Sequence, residues 1–187
     1  MKVVALLGSI SGKKTATALD YVVKKMTNDF AEHDFELIDL SQKQMQFSDG
    51  RNYLEYTGDT LEVASKIMAA DALIIGSPIF QASIPGALKN VFDLLPPQAL
   101  RDKVVSLIIT AGSPKHYLVA ETQLKPILAY MKAQVLPEIV FVESKDLYRN
   151  EIINHDIIFR LDKLIEDTLL MTATFSNLRK QQEDALF

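Results

Sequence analysis

The chain alternates between short apolar runs and longer amphipathic segments. Runs rich in Val, Ile and Leu occupy residues 2–7, 34–40, 71–77, 103–110 and 134–142. Most of them are continuously apolar, which is typical of parallel strands covered on both faces. Segments with helical length and periodicity occupy residues 15–31, 61–69, 84–95, 117–133 and 151–171. This alternation predicts an α/β fold: an open parallel sheet with right-handed crossovers and helices on both faces.

The length of 187 residues fits a single domain, and we assign residues 1–187 to it. No apolar run is long enough to cross a bilayer, and the N-terminal run is shorter than the apolar region of a signal peptide. We therefore expect a cytoplasmic location and no membrane partner. Residues 172–187 are interpreted as a C-terminal tail, either a frayed helix end or an arm onto a neighbouring subunit.

The charge and the residue types exclude several classes of function. The net charge of −4 argues against a basic surface for nucleic acid. The sequence contains no Cys, so it offers no thiolate metal site and no thiol nucleophile. Its three His residues are widely spaced and form no zinc-ligand motif, so we expect no metal site. Small molecules are the expected partners.

The predicted strand spacing favours the flavodoxin-like order 2-1-3-4-5. In this order, ligands bind in a crevice at the carboxyl ends of strands 1 and 3. The loops that follow strands 1, 3 and 4 read "GSISGKKTAT", "GSPIFQASIPGALKN" and "TAGSPKHYL", and each contains an early Gly-Ser pair. The polar segment 41–58 is long for a connection, which is typical of functional loops.

The first of these loops resembles an ATP-binding phosphate loop but fails its spacing. The required pattern is G-x-x-x-x-G-K-[ST], whereas Gly8 and Gly12 lie one residue too close together. A helix N-terminus after a strand still attracts an anion, and Lys13 and Lys14 add positive charge. A plain strand–turn–helix connection with solvated lysines fits the same residues equally well.

The loop after strand 3 predicts contact with a flat ring. Pro78 and Pro85 restrict the residues before them, so the segment between them is expected to be stiff and to present its main-chain N–H and C=O groups in a row. Phe80 suits the face of a ring, Gln81 suits a polar edge, and Gly112 permits close approach from a second side. Each residue alone also fits an ordinary structural role. Together, the loops predict a mononucleotide with a tricyclic head.

A family resemblance extends over roughly the first three quarters of the chain. The segment "GSPIFQASIPGALKNVFDLLP" resembles the flavin-loop signature G-[ST]-P-x-[YF]-x-x-x-x-P-G-x-L-K-x-x-[IFL]-D of the NAD(P)H-dependent FMN reductases. The following segment, "RDKVVSLIITAGSPKHYLVAETQLKPIL", is similar to the branch of this family found in bacterial alkanesulfonate-utilisation systems. The resemblance implies an enzyme that transfers hydride from NADPH or NADH to FMN.

The resemblance also implies which residues contact FMN. The phosphate would meet Ser9, Ser11, Thr15 and Thr17. Ser11 stands where the family often carries Arg, and either Lys13 or Lys14 is expected to substitute for that Arg as a point charge. The ring would meet Pro78, Ile79, Phe80 and Gln81. Independently of the resemblance, the main-chain N–H groups of residues 80–83, including that of Ser83, and of Gly112 are expected to stabilise negative charge near the flavin N1–O2 edge. The pyrimidine end would meet Ala111, Gly112 and Ser113. No side chain is nominated as catalytic, because the cofactor carries the chemistry.

Departures from the family pattern leave alternatives open. Thr122 stands where the alkanesulfonate-type reductases have Tyr, within a helix bulge that the family links to release of flavin. This difference favours a resident flavin, as in a quinone, azo or nitro reductase. A flavodoxin-like electron carrier is the non-enzymatic alternative. A homodimer or homotetramer is implied by the family, and the apolar segments 92–100 and 123–131 are candidate interfaces or simply core.

Overall fold

A computed structural model describes residues 1–185, and five parallel strands form its main sheet. The strands are β1 (Lys2–Leu7), β2 (Asp34–Asp39), β3 (Ala72–Pro78), β4 (Val104–Ala111) and β5 (Gln134–Glu143). Their order across the sheet is β2-β1-β3-β4-β5. Every residue of β3 and β4 is buried, as continuous apolar runs require. The predicted α/β fold and strand order are confirmed.

Helices cover both faces of the sheet. They are α1 (Lys13–Asp29), α2 (Gly58–Ala69), α3 (Gly86–Leu94), α4 (Lys125–Tyr130) and α5 (His155–Asp184). Residues of α1 and α5, such as Leu19 and Leu161, share one core cluster with Ile74 of β3. Residues of α2, α3 and α4 form the cluster on the opposite face, where Leu88 packs. None of the helices in residues 1–185 is both long and apolar enough to cross a membrane.

The last helix differs from its predicted bounds at both ends. Short strands β6 (Leu147–Tyr148) and β7 (Glu151–Ile152) form an antiparallel pair before it, where the sequence analysis predicted the start of the helix. The Asn154 side chain accepts a hydrogen bond from the Asp156 N–H at 3.0 Å, which fixes the true start near His155. Residues 172–184 continue α5 as helix, and 186–187 lie outside the described residues. A role as an arm stays a prediction.

The predicted helix 117–133 is divided into different helical types. A short 3₁₀ turn, Pro114–His116, precedes a five-residue π-helical segment, Ala120–Leu124, and regular helix resumes in α4. In the π-helical segment the Lys125 N–H donates to the Ala120 carbonyl, a wider bond than the α-helical one. A helix bulge is therefore present at Ala120–Leu124, the segment that contains Thr122.

The long polar connection before α2 is tied to the body by side chains. The main-chain N–H of Gln44 donates to an Asp59 carboxylate oxygen at 2.7 Å, and that of Ser48 donates to the Asn90 amide oxygen at 2.9 Å. These bonds anchor the segment to α2 and α3 at the end of the sheet where the loops after β1 and β3 also lie.

Candidate functional site

The loops after β1, β3 and β4 enclose a crevice of about 220 Å³ at the carboxyl ends of these strands. Its lining residues are Gly12, Lys13, Lys14, Pro78, Ile79, Phe80, Thr110, Ala111 and Gly112. Six residues predicted from the sequence therefore lie together: Lys14, Pro78, Ile79, Phe80, Ala111 and Gly112. We call this site the strand-end crevice.

Glycines allow the first two loops to approach each other closely. The Gly8 N–H donates to the Gly76 carbonyl oxygen at 2.8 Å. A Cβ on Gly76 would lie 2.7 Å from Leu19 Cδ1, closer than side-chain packing permits. Gly12 has φ of 134°, in the range that favours glycine, and it leads directly into α1. The crevice thus depends on small residues at the ends of β1 and β3.

Most of the hydroxyls predicted to meet a phosphate are engaged inside the protein. Ser9 is buried, and its hydroxyl donates to the Ser11 carbonyl at 2.6 Å. The Thr17 hydroxyl donates to the Lys13 carbonyl at 2.9 Å, a bond within the first turn of α1. Thr15 is completely buried and hydrogen-bonds Thr110. In this structure these three hydroxyls hydrogen-bond within the protein around the N-terminus of α1.

The exposed groups at this end of the crevice form a donor set suited to a phosphate. Within the described residues no side chain caps α1, so its first main-chain N–H groups have no side-chain acceptor. Ser11 and Lys13 are exposed beside these groups. Lys14 Nζ hydrogen-bonds the hydroxyl of Ser144, which follows β5. Free N–H donors, the helix dipole and two ammonium groups fit a dianion.

The loop after β3 forms a tight turn and does not present the extended row predicted from its prolines. Phe80 and Ser83 exchange two main-chain hydrogen bonds, of 3.0 and 2.9 Å. Gln81 and Ala82 between them have positive φ values of 49° and 57°. The N–H groups of Phe80 and Ser83 are consequently used within the loop, which corrects the expectation that both face a ligand. Phe80 itself is 40% exposed on the crevice wall.

The loop after β4 leaves open space at the other end of the crevice. Ala111 is at the end of β4, Gly112 is exposed, and Ser113 is half-buried. A Cβ built on Gly112 meets no atom of the described residues within 4 Å. The Ile79 N–H donates to the Thr110 carbonyl at 3.0 Å, which holds the β3 loop beside this space. A planar group therefore has room between the two loops.

A larger cavity of about 690 Å³ shares Phe80 with the strand-end crevice, and residues of the polar segment 41–58 form part of its wall. It is bounded by the loops after β1, β2 and β3, with Ile10, Phe47 and Phe80 among its lining residues. Phe47 is 84% exposed and Ile10 is 68% exposed. We call this space the Phe47 cavity. Its apolar walls suit a flat organic molecule rather than an ion.

Ion pairs fix the wall of the Phe47 cavity. Lys43 Nζ lies 2.7 Å from one Glu62 oxygen, and Lys66 Nζ lies 2.6 Å from the other. Hydrogen bonds from these two ammonium groups lower the pKa of Glu62 to about 2. Within residues 1–185 no cluster of His or acidic side chains is arranged to hold a metal ion.

Two residues that contact the site loops were not singled out from the sequence. Ser144 pairs with Lys14 across 130 positions of chain, and Gln123 hydrogen-bonds both Ala82 and Ser83. Ser144 lies outside the segments quoted above, and Gln123 lies in the segment 101–128 without a predicted role in the site. Thr110 did end a predicted strand, but its partner Thr15 is 95 positions away.

Comparisons with known proteins agree with this geometry. The chain is 38% identical over 172 residues to an NAD(P)H-dependent FAD/FMN reductase of Geobacillus thermodenitrificans, covering 91% of this chain and 93% of that protein. It is 28% identical to an FMN reductase (NADPH) of Escherichia coli, covering 89% and 87%. A solved NADH:FMN oxidoreductase, EMOB in its apo form, shares the fold with a TM-score of 0.75 and 24% identity, covering 91% and 89%.

The family comparison covers the strands and loops that build the crevice. The family model described as NADPH-dependent FMN reductase matches residues 1–147, which include β1 to β5 and all three crevice loops. The relative from Geobacillus extends the similarity over nine tenths of the chain. The chain belongs to the NADPH-dependent FMN reductase family.

Proposed function

We propose that this chain is an NAD(P)H-dependent FMN reductase that binds FMN in the strand-end crevice. The observation that carries the proposal is the meeting of an uncapped helix N-terminus with an aromatic-walled turn at one sheet edge. When bound, FMN accepts hydride from a reduced nicotinamide and passes electrons to an acceptor. The role of the protein itself is to bind FMN and to orient it for this transfer.

Different residues of the crevice would contact different parts of FMN. Ser11, Lys14 and the first N–H groups of α1 would hold the phosphate, with Ser9, Thr15 and Thr17 bracing them. The ring would be held by Pro78, Ile79, Phe80 and the Gln81–Ser83 turn, and its pyrimidine end by Ala111, Gly112 and Ser113. Many of these contacts would come from main-chain groups and small residues, so the backbone conformation of the loops would form much of the site.

Binding and turnover of flavin test the proposal directly. Purified protein is titrated with FMN while flavin fluorescence is followed, and oxidation of NADPH and NADH is then measured with FMN present. We expect quenching with one FMN per chain and reduction by at least one nucleotide. Protein that neither quenches FMN nor oxidises either nucleotide would overturn the proposal. Rapid bleaching of bound flavin by a nucleotide also excludes a pure electron carrier.

The Phe47 cavity favours a second possibility, in which FMN stays bound and an apolar acceptor takes the electrons. A quinone, azo dye or nitroaromatic would meet the exposed faces of Phe47 and Ile10. Phe47→Ala should raise KM for a quinone while leaving the affinity for FMN unchanged. If activity requires an excess of free FMN, whether or not a quinone is present, then FMN does not stay bound and this second possibility is wrong.

We further propose that two copies of the chain associate through the groove between α3 and α4. This groove has a volume of about 470 Å³ and is lined by Phe92, Leu95, Ile127 and Tyr130 among others. Tyr130 is 71% exposed, and Lys89 and Asp93 at the border of the groove form an ion pair with each other at 2.6 Å, so the apolar residues of the groove are the surface offered to a second copy. Tyr130→Glu should give a monomer in light scattering. Since reduced nicotinamides are intracellular substrates, we place the enzyme in the cytoplasm.

A further inference from the structure

The turn beside the crevice has an unfavourable backbone for its sequence. Gln81 and Ala82 occupy the two central positions between Phe80 and Ser83, both with positive φ. Two-residue turns of this kind favour Asn-Gly, because glycine and asparagine tolerate the left-handed region. Gln and Ala carry a Cβ that crowds the main chain there. The local sequence therefore disfavours the shape that the loop adopts.

A side chain from another segment holds this turn from outside. The Gln123 amide nitrogen Nε2 donates to the Ala82 carbonyl at 3.1 Å, while its oxygen Oε1 accepts a hydrogen bond from the Ser83 hydroxyl. One amide thus binds a main-chain acceptor and a side-chain donor on consecutive residues. Such a two-point contact fixes the orientation of the Ala82–Ser83 peptide more strictly than a single bond does.

The position of Gln123 depends on the π-helical segment. Gln123 is half-buried within Ala120–Leu124, between the buried residues Ala120 and Leu124. The extra residue in a π turn rotates the following side chains by about 100° relative to a continuous α-helix. The π-helical segment therefore directs the Gln123 side chain towards the Gln81–Ala82 turn while Leu124 remains in the core.

We propose that Gln123 is a positioning residue that holds the Gln81–Ala82 turn in the conformation that binds the flavin ring. This inference rests on the proposed function, since it assigns the turn to FMN. Gln123 acts through Ala82 and Ser83 and lines neither the strand-end crevice nor the Phe47 cavity. The conformation of the Gln81–Ala82 turn consequently depends on the π-helical segment that positions Gln123.

A double-mutant experiment tests the proposal through the backbone of the turn. Gln123→Ala should weaken FMN binding about tenfold, as expected for the loss of two hydrogen bonds. Adding Ala82→Gly to this variant should restore most of the affinity, because glycine adopts the turn without outside support. Gln98→Ala, which removes an exposed side chain that pairs with Arg101, is the matched control and should bind FMN normally.

A second measurement requires no flavin. Hydrogen exchange at the Ser83 amide, which donates to Phe80, should be about tenfold faster in apo Gln123→Ala and should slow again in the double variant. Normal FMN affinity in Gln123→Ala overturns the proposal. A reduced FMN affinity that Ala82→Gly fails to restore in the double variant overturns it as well. Wild-type protein that binds no FMN overturns the proposed function instead, and the exchange rates then still show whether Gln123 holds the turn.

Discussion

Thr15 of α1 and Thr110 of β4 are joined through their side chains. Their hydroxyl oxygens lie 2.7 Å apart, with Thr15 completely buried and Thr110 2% exposed. Thr15 is in the first turn of α1, and Thr110 is near the end of β4. The bond therefore fixes the relative position of two elements that border the strand-end crevice.

The Thr15–Thr110 pair predicts a non-additive effect on stability. Thr15→Val removes one hydroxyl at nearly constant volume and leaves the other buried without a partner, which should cost about 1–3 kcal/mol. Thr15→Val/Thr110→Val should cost less than the sum of the single variants, because no unpaired hydroxyl remains. Urea unfolding of all three variants measures this. Additive losses would show that the two hydroxyls act independently.

The lysines at the start of α1 predict selectivity for a phosphorylated flavin. Lys14→Met should weaken FMN binding about tenfold to a hundredfold, the range for hydrogen bonds to charged groups. Binding of riboflavin, which has no phosphate, should change little. Lys24→Met, on an exposed position later in the same helix, is the control. Equal losses of affinity for FMN and riboflavin would show that Lys14 does not contact the phosphate.

Two glycines in the site predict opposite outcomes for the same substitution. Gly76→Ala places a methyl group 2.7 Å from Leu19 Cδ1 and should destabilise the fold by about 1–3 kcal/mol. Gly112→Ala meets open space among the described residues, so its thermal unfolding should resemble that of the wild type. The added methyl should instead weaken FMN binding. Unimpaired FMN affinity in Gly112→Ala would argue against a pyrimidine contact at this position.

Glu62 predicts an acid-dependent contribution to stability. Its pKa in the folded protein is lowered to about 2 by hydrogen bonds from Lys43 and Lys66, against about 4.3 in an unfolded chain. The stabilisation is complete above the unfolded pKa and is lost as the pH falls towards 2. The gap in free energy of unfolding between wild type and Glu62→Gln should therefore narrow below about pH 4. Glu138→Gln, at an exposed position in β5, provides the comparison.

The parts of the fold that follow from local pattern were predictable. Continuous apolar runs identify β3 and β4 because both faces of these strands are covered. The strand order then brings the loops after β1, β3 and β4 to one edge, so the placement of Phe80 and Gly112 required no further information. The short pair β6–β7 was missed because two-residue strands carry almost no pattern.

The parts that depend on distant contacts were not predictable. The turn at Gln81–Ala82 lacks the Asn-Gly signal and is held by Gln123, whose direction depends on one extra residue in a helix. Apolar spacing such as that of Leu124 and Leu128 fits an uninterrupted α-helix equally well. The hydrogen bond between the buried hydroxyls of Thr15 and Thr110 was not predictable either, because the two residues are 95 positions apart in the sequence.

The position of α5 in the sequence has a consequence for synthesis of the chain. Leu161 and Ile165 complete the core that α1 shares with the sheet, and Thr168 hydrogen-bonds the buried Ser106 hydroxyl at 3.0 Å. These residues leave the ribosome after all five strands. Until then, α1 alone covers this face of the nascent sheet, and the apolar surface that α5 will bury is available to chaperones.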